Sequence, residues 1–279
     1  MKIGIFDSGL GGLIIAKAIR KVMPKYDYVY LGDTKRVPYG NRSHEAVFEF
    51  TREAVEYLFK KEDCAIVIIA CNTSSARALR RIQQEYLVEY NKTRKLMGES
   101  ERKVLGVLIP TAEEAAKYKK VGILGTSGTI VSNSFPEEIK KISRIRTGLS
   151  IKTKVFQNSA PMLVPLIEEG EKELAKQFIK KYLKPFLNKN FDAVVLGCTH
   201  YPFYKNEIKK VLGSKVKLIS QDEIIPKKLK EYFSKHSEIT KELSQKGKAK
   251  ILVTDITKNI IKLSGKWFGA KTKPELIHL

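Results

Sequence analysis

The sequence predicts an α/β protein made of two similar lobes, each a parallel sheet covered by helices, with a cleft between them. Three observations carry that prediction. Apolar runs alternate with amphipathic stretches, two pairs of segments repeat each other in the same order, and both members of the second pair end on a cysteine.

In chain order, Ile3–Phe6 is a short apolar run, and Gly12–Met23 follows with apolar residues at helical spacing. Tyr28–Leu31 then reads as a strand and Ser43–Lys60 as a helix, and Ala65–Ala70 and Ser74–Gln84 repeat the alternation. Asn91–Lys103 is polar and charged and contains Gly98, which predicts a long loop or a crossing between lobes. Strands are expected again at Val104–Leu108, Val121–Leu124, Ala193–Leu196, Val216–Ile219 and Lys250–Val253. Helices are expected at Ala160–Glu169, Glu173–Asn188 and Ile224–Ser234. Strand-then-helix order calls for crossover connections, hence parallel sheets.

The segment Ile3-Gly4-Ile5-Phe6-Asp7-Ser8-Gly9 can be laid on Val121-Gly122-Ile123-Leu124-Gly125-Thr126-Ser127. Each is an apolar strand running into a small, hydroxyl-rich turn. Likewise Ala65–Thr73 matches Ala193–Thr199, in both cases an apolar strand, a small residue and then Cys near Thr. One such pair is common by chance, but two in the same order indicate duplicated lobes.

Composition narrows the classes of function. With 279 residues and 43% hydrophobic content the chain can bury a sizeable core. No apolar run approaches the roughly 20 residues needed to span a bilayer, and Met1 leads almost directly into Ile3, so neither an anchor nor a signal peptide is expected and the cytoplasm is the expected location. The three cysteines, Cys64, Cys71 and Cys198, lack CxxC spacing, which argues for free thiols rather than a disulfide framework or a zinc site. A net charge of +22 raises a nucleic-acid hypothesis, but the Lys and Arg residues are dispersed and often lie beside Glu. A lysine-rich solvated surface is the simpler reading, and specific nucleic-acid binding is not expected.

In open parallel sheets, ligands bind beyond the carboxyl ends of the strands. Cys71 and Cys198 both fall there, followed by Thr73, Ser74 and Ser75 in one case and by Thr199 and Pro202 in the other, residues suited to starting a helix. A thiol at a helix N-terminus meets unpaired N–H groups that lower its pKa, so it can act as acid or base near neutrality. Two such thiols facing each other across a cleft suit the inversion of a stereocentre, which needs a base on one face of the carbon and an acid on the other. Ser8, Asn72, Thr73, Thr126 and Thr199, from the same turns, could hold carboxylates. His200, two residues after Cys198, could exchange a proton with it. Cys64 precedes its strand without polar company and reads as a core residue. Cys198-x-His200 could also be half of a metal site, but His44, His236 and His278 offer no further ligand spacing. The turn Asp7-Ser8-Gly9-Leu10-Gly11-Gly12 fits a dinucleotide fingerprint poorly, since Ile14 stands where glycine is needed and Asp7 would oppose a pyrophosphate. Neither a metal nor an organic cofactor is expected.

Six motifs deepen this reading: IGIFDSGLGG at Ile3–Gly12, YLGDTKRVPYG at Tyr30–Gly40, IACNTSSA at Ile69–Ala76, VGILGTSGT at Val121–Thr129, VPLIEEG at Val164–Gly170 and LGCTHYPF at Leu196–Phe203. On these the chain resembles the glutamate racemases of the cofactor-independent aspartate/glutamate racemase superfamily, along most of its length. The resemblance implies two pseudo-symmetric α/β domains with the active site between them and a C-terminal segment completing the first: residues 1–102 plus 214–279, and residues 103–213. It implies Cys71 and Cys198 as the catalytic thiols, Asp7 as the carboxylate assisting the first, and His200 and Glu168 as the groups assisting the second. Ser8, Pro38, Tyr39, Gly40, Asn72, Thr73, Ser74, Thr126 and Thr199 match substrate-binding positions, with Ser74 where the family often has Thr. The implied reaction interconverts L- and D-glutamate, supplying D-glutamate for peptidoglycan, and a homodimer is compatible with it. Ala160, Thr111 and Phe135 depart from residues frequent in the family, Thr111 standing where glycine is common after Pro110. Two other readings remain open at this level: a racemase for aspartate or another acidic amino acid, and a basic nucleic-acid-binding protein on the same fold.

Overall fold

The computed structural model describes residues 1–147, 153–187, 189–269 and 272–279; the expected helix end at Asn188 lies outside them. Two parallel sheets organise the chain. The first contains β1 (Lys2–Asp7), β2 (Tyr28–Gly32), β3 (Cys64–Ile69), β4 (Lys103–Gly106), β9 (Ala249–Val253) and β10 (Pro274–Leu276), in the order β10-β9-β2-β1-β3-β4. The second contains β5 (Lys120–Gly125), β6 (Lys154–Ser159), β7 (Ala193–Gly197) and β8 (Lys217–Ile219), in the order β6-β5-β7-β8.

Central strands read as continuous apolar runs because helices cover both faces. β2, β3 and β7 are buried at every residue. The two repeats occupy equivalent places: β1 lies beside β3, with Phe6 opposite Ile69, as β5 lies beside β7, with Leu124 opposite Leu196. Each duplicated turn therefore leaves the same end of its sheet as its neighbour, which gathers four functional turns in one region.

The helix Leu13–Val22 buries Leu13, Ile15, Ala16 and Ile19, an apolar stripe at helical spacing. His44–Lys60 begins where Ser43 Oγ accepts the Ala46 N–H at 3.2 Å, meeting one of the unpaired donors of the first turn. The helix Gln221–Lys235 leaves the second sheet and packs on Leu13–Val22 beside the first, so it joins the two lobes.

Several expectations need correction. Asn91–Lys103 is not a long loop: a helix runs over Leu87–Leu96, Gly98 turns the chain at positive φ, and β4 starts at Lys103. A boundary after residue 102 would assign β4 to the second lobe, but β4 pairs with β3 of the first sheet. A boundary after residue 213 would likewise detach β8, which pairs with β7. The apolar run Val104–Leu108 is strand only to Gly106, and a helix takes over at Leu108. β6 and β10 were not expected, β6 being largely polar and β10 only three residues long. Among the described residues no helix is long and apolar enough to cross a membrane.

Candidate active site

The carboxyl ends of β1, β3, β5 and β7 surround a cavity of about 340 Å³. Twelve of the residues singled out in the sequence line it: Ser8, Pro38, Tyr39, Gly40, Cys71, Asn72, Thr73, Thr126, Glu168, Cys198, Thr199 and His200. The two thiols enter from different sheets. Pro161, Met162, Val164 and Pro165 close one side and, with Asn41 and Ser127, are lining residues that the sequence reading did not single out.

Cys71 caps the helix Asn72–Arg77, its sulfur accepting the Ser74 N–H at 3.4 Å and its thiol donating to Ser8 Oγ at 3.3 Å. The expected acidification of Cys71 is not realised. Burial and the nearby Asp7 charge raise the Cys71 pKa, against the opposing pull of the Ser8 and Ser74 hydrogen bonds. Asp7 lies behind the cavity wall at the end of β1. Its Oδ2 accepts the N–H groups of Gly9 and Gly12, each at 3.2 Å, while the buried Oδ1 meets no donor among the described residues. Burial also raises the Asp7 pKa, with the charge of His200 opposing it.

Cys198 differs from Cys71 in its surroundings. No α-helix starts beside it; a 3-10 turn spans Tyr201–Tyr204 and the helix begins only at Lys205. A side chain stands beside it instead: His200 Nδ1 lies 3.8 Å from the Cys198 sulfur, and Nε2 pairs with Glu168 Oε1 at 2.9 Å. Burial disfavours the imidazolium, but the hydrogen bonds and charges of Cys198 and Glu168 outweigh it and raise the His200 pKa to about 10. The ring also meets Trp267 edge-on, with centroids 5.6 Å apart.

The donors are held from both sheets. Thr73 and Thr126 share a hydroxyl hydrogen bond of 2.9 Å, and Thr126 caps the helix Ser127–Val131. Tyr39 lines the cavity from its turn, yet its hydroxyl points into the core and donates to the buried Asp33 at 2.5 Å. Ser74 corrects another expectation. It is buried away from the cavity and acts on Cys71 through its backbone N–H. Among the described residues no three His, Cys, Asp or Glu side chains converge as a metal site would require.

A two-sheet α/β fold with one thiol at the corresponding strand end of each sheet is the arrangement of an enzyme that moves a proton across a carbon. Consistently, the Asp/Glu/Hydantoin racemase family model matches residues 14–224, and the chain belongs to that family. Within it, the chain is 37% identical to the glutamate racemase of Sulfurihydrogenibium sp. (strain YO3AOP1), over 100% of this chain and 98% of that protein. Among solved structures it is similar to a glutamate racemase isoform from Bacillus anthracis, with a TM-score of 0.84, 31% identity and coverage of 100% and 97% of the two chains. The glutamate racemase of Francisella tularensis, solved with D-glutamate, gives a TM-score of 0.84 at 29% identity, covering 99% and 97%.

Proposed function

We propose that the protein interconverts L- and D-glutamate, passing the α-proton between Cys71 and Cys198. The observation that carries the reading is the placement of both thiols on one cavity, each at the end of an equivalent central strand. Cys71 takes the α-proton of D-glutamate and Cys198 that of L-glutamate, and the opposite thiol returns a proton to the other face. Asp7, protonatable because it is buried, carries protons for Cys71; His200, held by Glu168, does so for Cys198. Binding a substrate whose α-ammonium lies beside Cys71 would offset the burial that raises its pKa. Ser8, Asn72, Thr73, Thr126, Thr199 and the Pro38-Tyr39-Gly40 turn hold the carboxylates.

The proton transfer belongs wholly to these side chains, the enzyme works in the cytoplasm, and D-glutamate for peptidoglycan is its product. Proton NMR of L-glutamate in D2O with the purified protein tests it. The α-hydrogen signal should disappear, and should still disappear after chelation and dialysis of the protein, but should persist unchanged when the protein is alkylated. Aspartate exchanging faster than glutamate would favour the related acidic amino-acid racemase instead.

A further inference from the structure

Asn72 and Gln221 are both buried, at 2% and 1% exposure, and exchange a reciprocal pair of amide hydrogen bonds. Asn72 Nδ2 donates to Gln221 Oε1 at 2.8 Å, and Gln221 Nε2 donates to Asn72 Oδ1 at 2.6 Å. An amide pair of this kind could exist with both groups turned over. A third residue selects the orientation. The Thr111 hydroxyl gives its hydrogen to Val107 O at 2.6 Å, which leaves its oxygen only as an acceptor, and Gln221 Nε2 approaches that oxygen at 3.4 Å. Turning Gln221 over would set its carbonyl against an oxygen with no hydrogen to offer.

We infer that Thr111 and Gln221 are positioning residues that fix the Asn72 amide so that its second N–H, rather than its carbonyl, faces the cavity and reads a substrate carboxylate. Asn72 lines the cavity, and that second N–H meets no acceptor among the described residues. Gln221 is the first residue of the helix Gln221–Lys235, so the donor in one lobe is oriented by a helix that follows the last strand of the other. The inference rests on the acidic amino-acid reading above, because a carboxylate is the ligand that an N–H donor selects.

The test compares wild type with Gln221→Met, an apolar replacement of similar length, and Thr111→Val, which keeps the shape but removes the acceptor. In side-chain amide NMR of the free protein, the Asn72 proton bonded to Gln221 should exchange with solvent at least tenfold faster in Gln221→Met. For the enzyme, KM for glutamate should rise about tenfold or more in both variants while kcat falls by less. Should Gln221→Met fail to fold, Thr111→Val decides by the same KM-against-kcat split. Unchanged Asn72 amide exchange in Gln221→Met, or wild-type KM in folded Thr111→Val, overturns the inference. A wild-type protein inactive on glutamate but showing the protected Asn72 amide would count against the substrate instead and leave the hydrogen-bond relay standing.

Discussion

Gly11 and His200, from turns of different sheets, approach so closely that a β-carbon on Gly11 would overlap both the imidazole Nδ1 and Thr199 Oγ1. The glycine turn after β1 is thus shaped by the thiol turn after β7, which gives a physical reason for the missing side chain. Gly11→Ala should displace His200 from Cys198. A shift near 1 Å at such a site costs on the order of 10²-fold in rate, so kcat/KM for glutamate should fall by about that factor. Wild-type kinetics in the variant would show that the two turns do not constrain each other.

The His200–Glu168 pair should also be visible in stability against pH. Because the folded His200 pKa is raised to about 10, its stabilisation is fully present below the free imidazole value of about 6.5 and is lost as pH rises through the folded value. Glu168→Gln removes one of the two groups that raise it. The melting-temperature gap between wild type and Glu168→Gln should therefore be widest below about pH 6.5 and narrow as the pH approaches about 10. A gap that widens with pH would mean that the pair is not charged in the folded protein.

Each thiol should serve one face. Cys71→Ser and Cys198→Ser should each stop racemisation in both directions, since the acid for one direction is the base for the other. A substrate analogue with a leaving group on the β-carbon separates them, because elimination after deprotonation needs no proton from the opposite side. Cys71→Ser should then eliminate mainly from the isomer with L configuration at the α-carbon, and Cys198→Ser mainly from the D isomer. Equal elimination from the same isomer by both variants would refute the assignment.

Tyr39 ties the substrate turn to a buried carboxylate: Asp33 accepts from Tyr39, from Arg36 at 2.5 Å and from Thr254 at 2.7 Å. Leaving a buried acceptor one donor short costs about 1–3 kcal/mol. Tyr39→Phe should lose that much in urea denaturation and raise KM, since Pro38 and Gly40 share the turn. Unaltered stability would indicate that Arg36 and Thr254 suffice.

The charge should have little consequence for nucleic acids. Among the described residues basic side chains are paired with acids at scattered sites, such as Lys2 and Lys250 with Glu62, and Lys228 with Glu113. DNA retention should be weak and disappear with added salt. Tight binding to duplex DNA near physiological ionic strength would contradict this.

Much of the site was legible because it is local. Cys71, Asn72 and Thr73 follow an apolar strand, as do Cys198, Thr199 and His200, and strand-end position alone brings them together. Gln221 was missed although it too follows a strand, β8, because its meaning depends on Asn72, 149 residues away. Trp267 reaches His200 from a C-terminal helix that no motif marks. The direction of the Cys71 pKa was misread for a related reason: the helix end is a local feature, whereas the burial that overrides it comes from the whole cleft. β6 escaped notice because Lys154, Gln157, Asn158 and Ser159 break the apolar pattern.

The order of strands in the first sheet bears on how the molecule comes into being. β9 pairs directly with β2, and β10 adds outside it. While the chain is synthesised, β5 to β8 can associate as soon as Ile219 has emerged, but β2 stays an open edge until Ala249–Val253 follows. The later sheet is thus the first that can be finished, and the nascent chain carries a hydrophobic strand with one open edge for more than half of its synthesis. A ribosome that stalls before residue 249 would release a chain with a completed thiol turn at Cys198, an exposed strand edge at Tyr28–Gly32, and no Trp267 behind its histidine.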